Sequence, residues 1–150
     1  MKSLFDPHVI IDVHNRIDEL TPETPAKWGK MNVAQMLRHC QWPLDVALGN
    51  KELNTHISFM KKLVFKLFKS SLYNDKLWKP GIPTAPEYVV NTEHDFSIEK
   101  SNLQLAIKEF SSLKNKTTWD NHVFFGKLTP EQWGKSQYKH IDHHLRQFGV

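Results

Sequence analysis

Apolar residues recur at helical spacing in five stretches of the chain. The first carries Ile10, Val13, Ile17 and Leu20 behind Asp6-Pro7, a capping residue followed by a proline that suits the first helical position. Thr21-Pro22-Glu23-Thr24-Pro25 ends it and makes a linker. In the second, Val33, Met36, Leu37, Cys40, Leu44, Ala47 and Leu48 form the stripe. Asn32 and Gln35 stand at capping-box positions and Gly49-Asn50 closes the segment, while Pro43 predicts a kink or break just before it. A third helix is predicted from about His56 to Tyr73, with Ile57, Met60, Leu63, Val64, Leu67 and Phe68 facing one way and lysines another. A fourth, from about Ser97 to Lys114, turns Leu103, Ala106, Ile107, Phe110 and Leu113 inward. The last has the clearest start: Thr129 caps, Pro130 is the first helical residue, Gln132 completes the capping box, and Leu128 and Trp133 occupy hydrophobic-staple positions. Gly149 suits its C-terminal cap.

Two long connections separate these helices. Residues 74–95 hold Pro80, Gly81, Pro83 and Pro86, with Tyr88-Val89-Val90 as a short extended piece; loops of this length are often functional. Residues 115–128 hold Trp119, His122, Phe124, Phe125 and Gly126. No internal repeat or low-complexity tract is present. Five amphipathic segments with little strand signal predict an all-α bundle of the up-and-down type.

Composition bounds the function. A chain of 150 residues is expected to be one domain, 1–150, with one real core. Its apolar fraction of 39% and charged fraction of 24% are those of a soluble globular protein. The net charge of +4 does not call for nucleic acid, because the lysines are spread out and no arginine- or glycine-rich RNA-binding signature occurs. Lys61, Lys62, Lys66 and Lys69 make the one dense basic cluster. A single cysteine, Cys40, excludes an internal disulfide and a multi-cysteine zinc site, and fits a reducing cytoplasm. No signal-peptide pattern and no run of ~18 apolar residues is seen, so a soluble cytoplasmic protein is expected.

The candidate chemistry lies in the last helix. His140 and His144 are four residues apart, hence one above the other and roughly 6 Å apart along the axis. Projected at ~100° per residue, they line one edge of the apolar face made by Trp133, Tyr138, Ile141, Leu145 and Phe148, near Gln137 and Gln147. His143 lies further toward solvent and Asp142 opposite. His39 takes the same edge position on the second helix. If the two helices pack side by side, three neutral imidazoles at ~2.1 Å could hold one transition-metal ion with positions left open, as a catalytic metal requires. Ile141 stands where a zincin motif needs glutamate, so metalloprotease chemistry does not fit. Equally, an i,i+4 pair beside an apolar face can be two hydrogen-bonded boundary residues.

Leu37-Arg38-His39 on an early helix, followed by His140, His144 and Gln147, resembles the DinB/YfiT-like metalloenzyme superfamily. The segment from Phe125-Gly126-Lys127-Leu128-Thr129-Pro130 through Tyr138 to Gly149 is similar to an uncharacterised bacterial branch of it. The resemblance implies a four-helix bundle with long connecting loops and a three-histidine site, His39, His140 and His144, filled by a divalent metal ion, zinc or nickel. It also implies a small-molecule substrate, with thiol-dependent transferase or isomerase chemistry in which a low-molecular-weight thiol takes part.

Other residues carry two readings each. Gln137 and Gln147 could orient a ligand or be ordinary polar boundary residues. His122 could approach the site from its loop or sit in solvent. Cys40 is expected to be a buried small hydrophobe rather than a nucleophile. Met36 and Met60 could line a pocket or fill core. Trp28, Trp42 and Trp78 could wall a cleft or be boundary residues. The basic third helix could meet an anionic partner or membrane, or be a solvated face. Exposed Phe59 and Phe65 could mark a homodimer contact. No catalytic residue or general base is assigned. Three functions remain: a metal-dependent enzyme, a non-catalytic helical-bundle binding module with a structural metal or none, and a peripheral membrane or anionic-ligand binder that uses the basic third helix.

Overall fold

Four of the described helices start where a side chain satisfies free amides. In the computed structural model, helix α1 (Pro7–Asp18) begins at Asp6, whose carboxylate accepts from the His8 amide at 3.0 Å. Helix α2 (Val33–Leu48) has the full capping box, with Gln35 N–H on Asn32 and Asn32 N–H on Gln35 at 2.9 and 3.0 Å. Helix α3 spans Phe59–Phe68 and passes into a 3₁₀ turn, Lys69–Leu72. Helix α4 (Phe96–Ser112) starts on Asp95, which accepts from Ile98 N–H. Helix α5 (Pro130–Gln147) has the predicted Thr129–Gln132 capping box. It ends on Gly149 in the left-handed region, with Val150 N–H on Leu145 and Gly149 N–H on Arg146, a Schellman closure.

The structure describes residues 1–52 and 59–150, and of Phe59, Lys61, Lys62 and Leu63 the backbone only. His56, the expected start of the third helix, and Ile57 lie outside the described residues. The expected all-α fold is borne out: the described residues form five α-helices and no strand, with one antiparallel bridge between His122 and Gly126. None of the described helices is long and apolar enough to cross a membrane.

The core lies among α1, α2, α4 and α5. Val13 and Ile17, Met36, Leu37 and Leu44, Leu103, Ile107 and Phe110, and Ile141 and Leu145 are all essentially inaccessible to solvent. The closest packing is α2 on α4, with α2–α5, α1–α4 and α1–α5 contacts completing the enclosure.

Three expectations are corrected. Of the kink or break expected before Pro43, the break is overturned, since helix α2 runs on to Leu48. Val89 is extended, but Tyr88 belongs to a 3₁₀ turn, Pro86–Tyr88. On α3 the pattern left open which way the apolar residues face, and the structure turns Met60, Val64, Leu67 and Phe68 outward, at 66%, 50%, 77% and 61% exposed. Phe65, expected on the surface, instead packs edge-on against Phe124 and Phe125.

Close approach explains one glycine. A Cβ on Gly134, in the first turn and a half of α5, would run into Ser3 Oγ and the Phe5 ring. Phe5 cannot easily yield, because it is stacked on Phe110 at 5.1 Å and tilted against Trp119. Alanine would ordinarily favour a helix over glycine by ~1 kcal/mol. Gly134→Ala is expected to do the reverse, destabilising by about 1–3 kcal/mol through overpacking. A lowered midpoint in urea denaturation is the expected reading; a raised one would show that the N-terminal segment gives way freely.

Candidate metal centre

The register between α2 and α5 is set by a polar contact inside their interface. Gln137 Nε2 donates to the Pro43 carbonyl at 3.3 Å, one turn from His140 on α5 and one turn from His39 on α2. With Pro43 beside Gln137 and His39 beside His140, the helices run antiparallel here. Three imidazoles meet in this interface. His39 and His144 are buried and His140 is half-buried. One nitrogen from each lies within 4.8 Å of the other two.

The hydrogen bonds fix which nitrogen faces the centre. His39 Nδ1 is 2.8 Å from the Tyr88 carbonyl oxygen, which can only accept, so Nδ1 carries the proton and Nε2 keeps its lone pair. His144 Nδ1 is 2.7 Å from Gln147 Oε1. The Gln147 amide is itself oriented, since its Nε2 donates to the Trp28 carbonyl at 2.6 Å. His144 Nδ1 therefore donates to Gln147 and its Nε2 is the free acceptor.

His140 completes the group differently. Its Nε2 is 3.2 Å from His39 Nε2, and its Nδ1 is buried with no hydrogen-bond partner. Two lone pairs at that distance repel. Only a positive centre between them, the His140 proton or a metal ion, makes the contact favourable. Two imidazole nitrogens bound tetrahedrally to one ion at ~2.0–2.1 Å would lie about 3.3 Å apart. The pair thus has the spacing of two ligands of one ion, and the donor set suits a divalent transition metal.

Electrostatics keep the donors neutral. Burial pushes His39 below its ordinary value, opposed by the Tyr88 carbonyl. His140 is held far below by burial and then by His144, His39 and His143. His144 is pushed to about 3, chiefly by burial and next by His39. Neutral imidazole is the form that binds metal.

Aromatic rings surround the group. Trp78 lies edge-on to His140 and His143, at 6.3 and 5.7 Å between centroids. Trp28 is 5.8 Å from His143, whose ring also abuts His144. Tyr88 stands edge-on to His39 and is backed by Trp42. His143 is therefore a half-buried neighbour of the cluster, not part of it.

The remaining candidates separate. Gln147 is joined to His144. Gln137 is buried in the interface, with Oε1 lacking a partner. His122 makes its contacts elsewhere: its ring stacks on Trp133 at 5.4 Å and meets Phe125 at 5.0 Å, and its Nδ1 accepts from Phe124 N–H. It is neither a solvent residue nor a member of the three-imidazole group. Cys40 is fully buried against Met36 Sδ, and burial drives its thiol well above the ordinary range, as suits a small hydrophobe. Met36 is likewise core, whereas Met60 is exposed. Sequence reasoning missed the carbonyls of Tyr88 and Trp28. Backbone acceptors on irregular segments leave no residue-type signal.

The chain belongs to the protein family described as "Protein of unknown function (DUF1569)", whose model matches residues 6–149. No curated protein and no solved structure matches it.

Buried neutral imidazoles make stability depend on pH. His144 and His122 take up protons near 6.5 when unfolded, but only at about 3 and about 4 when folded. Between these values the unfolded chain binds more protons, so stability falls as pH drops from about 6.5. In metal-free protein the urea midpoint is expected to decline across this window, and less steeply in His144→Gln. A flat profile would contradict the burial of neutral rings.

Proposed function

We propose that this protein is a divalent-metal-dependent enzyme whose ion, zinc or nickel, is held by His39, His140 and His144. The observation that carries it is the convergence of three neutral imidazoles, two buried and one half-buried, with the Nδ1 atoms of His39 and His144 anchored so that Nε2 faces the centre. A purely structural pair of boundary histidines needs neither a third ring nor a 3.2 Å approach of two nitrogens. The sequence resemblance to the DinB/YfiT-like superfamily supports the same ligand set. With it we infer one domain, 1–150, in which α1, α2, α4 and α5 form an up-and-down four-helix bundle and α3 lies outside.

The roles of the residues follow from their bonds. The Tyr88 carbonyl and the Gln147 amide orient His39 and His144 and strengthen them as donors, as the outer partners of metal-bound histidines generally do. Trp28 holds Gln147 through its carbonyl, and its ring, with Trp78 and His143, walls the approach and limits water. Gln137 brings an unpartnered amide oxygen into the α2–α5 interface near the centre, suited to accept a hydrogen bond from a substrate or from His140. A bound divalent ion would supply a Lewis acid able to lower the pKa of an incoming water or thiol. The resemblance to the DinB/YfiT-like superfamily is what points to a small-molecule substrate and to transferase or isomerase chemistry that uses a low-molecular-weight thiol.

Metal analysis of untagged protein is the direct test. About one equivalent of zinc or nickel is expected, lost in both His39→Ala and His144→Ala. Gln147→Ala should keep the fold and weaken affinity by roughly 10–100-fold, because it frees the His144 ring. Protein that stays metal-free under repletion would sink the proposal. Stoichiometric metal with no exchangeable ligand would favour a structural site in a non-catalytic module.

A further inference from the structure

Helix α3 presents a surface that the metal-centre reading does not use. Met60, Val64, Leu67 and Phe68 are all at least half exposed. At ~100° per residue they share one arc roughly 100° wide. Phe65 lies off that arc and fastens the helix to Phe124 and Phe125. The outward face is thus a consequence of how α3 is anchored.

Charge indicates what meets this face. Between Glu52 and Asp75 the chain has no acidic residue and four lysines, Lys61, Lys62, Lys66 and Lys69. Lys61 takes a register position bordering the apolar arc beside Phe68, and Lys66 is exposed further round the helix. Lys69 donates to the Lys127 carbonyl, tying the end of the helix to the loop before α5. A second copy of the chain would bring two such acid-free, lysine-bearing helices together, which like-charge repulsion opposes. Nucleic acid would leave the apolar arc in water. An anionic lipid surface satisfies both halves: large apolar side chains enter the headgroup–acyl boundary while ammonium groups on long stems reach the phosphates.

We propose that α3 docks this protein onto anionic lipid surfaces, with Met60, Val64, Leu67 and Phe68 inserted and the net positive charge of the acid-free stretch between Glu52 and Asp75 attracting the anionic headgroups. The proposal is independent of the metal.

Co-sedimentation of the full chain with phosphatidylcholine vesicles, with and without phosphatidylglycerol, tests it. Binding is expected only with the anionic lipid, weakening as salt is raised. Lys66→Gln should lower the partition coefficient about fivefold. Leu67→Glu should abolish binding while leaving circular dichroism unchanged, since the side chain is exposed. No binding to anionic vesicles would overturn the proposal, as would binding that survives Leu67→Glu or is equally strong on phosphatidylcholine alone. A concentration-dependent dimer dispersed by Leu67→Glu would assign the arc to a second copy instead. Binding to poly-glutamate as tight as to vesicles would assign it to an acidic polypeptide.

Discussion

A neutral imidazole removed from water needs partners for its nitrogens, because an unmet buried donor or acceptor costs about 1–3 kcal/mol. The α2–α5 interface is built around that requirement. His39 reaches across to the Tyr88 carbonyl, which draws the loop after α3 onto α2. His144 is met by Gln147, and Gln147 by the Trp28 carbonyl, which draws the linker after α1 onto the end of α5. Two irregular segments are thus held in place by the need to satisfy two ring nitrogens. The apolar core supplies cohesion, but it does not by itself select where these loops lie.

Most of this architecture was legible in the sequence at the level of helices and faces. The Asn32–Gln35 and Thr129–Gln132 boxes fix helix starts, and a fixed start fixes which side chains share an edge. That is why His39, His140 and His144 could be placed on matching edges before any packing was known. Pro43 was legible as an anomaly but not in its outcome. The helix continues through it, and its carbonyl serves as acceptor for Gln137. What the chain could not reveal was partnership through backbone. Any residue type at position 88 offers the same carbonyl, and only the path of the loop makes it the partner of His39.

Helix α3 marks a different limit. Its amphipathic pattern was correct, yet the pattern says only that one face is apolar, not what covers it. Four helices already enclose the core, and among the described side chains of α3 it is Phe65 that packs on Phe124 and Phe125. His122 shows the same limit on a smaller scale. A histidine in a polar loop carries no sign that it will stack on Trp133, because that depends on the loop closing through the paired amides of His122 and Gly126.

The three-imidazole cluster and the core make opposite demands on α5. Packing favours apolar side chains at every inward position, yet this helix buries Gln137, His144 and Gln147 and partly buries His140. Most of these polar atoms are compensated, but His140 Nδ1 and Gln137 Oε1 are not. They lie one turn apart on the same face, a potential donor beside an acceptor. Leucine at both positions would remove these two unmet atoms but would also strip the Pro43 carbonyl and His39 Nε2 of their partners. Two unmet polar atoms beside a pair of imidazole nitrogens 3.2 Å apart are what a site for a positive centre would leave in the interface. The unpaired atoms therefore point to the same place as the paired ones, by a separate line of physical reasoning.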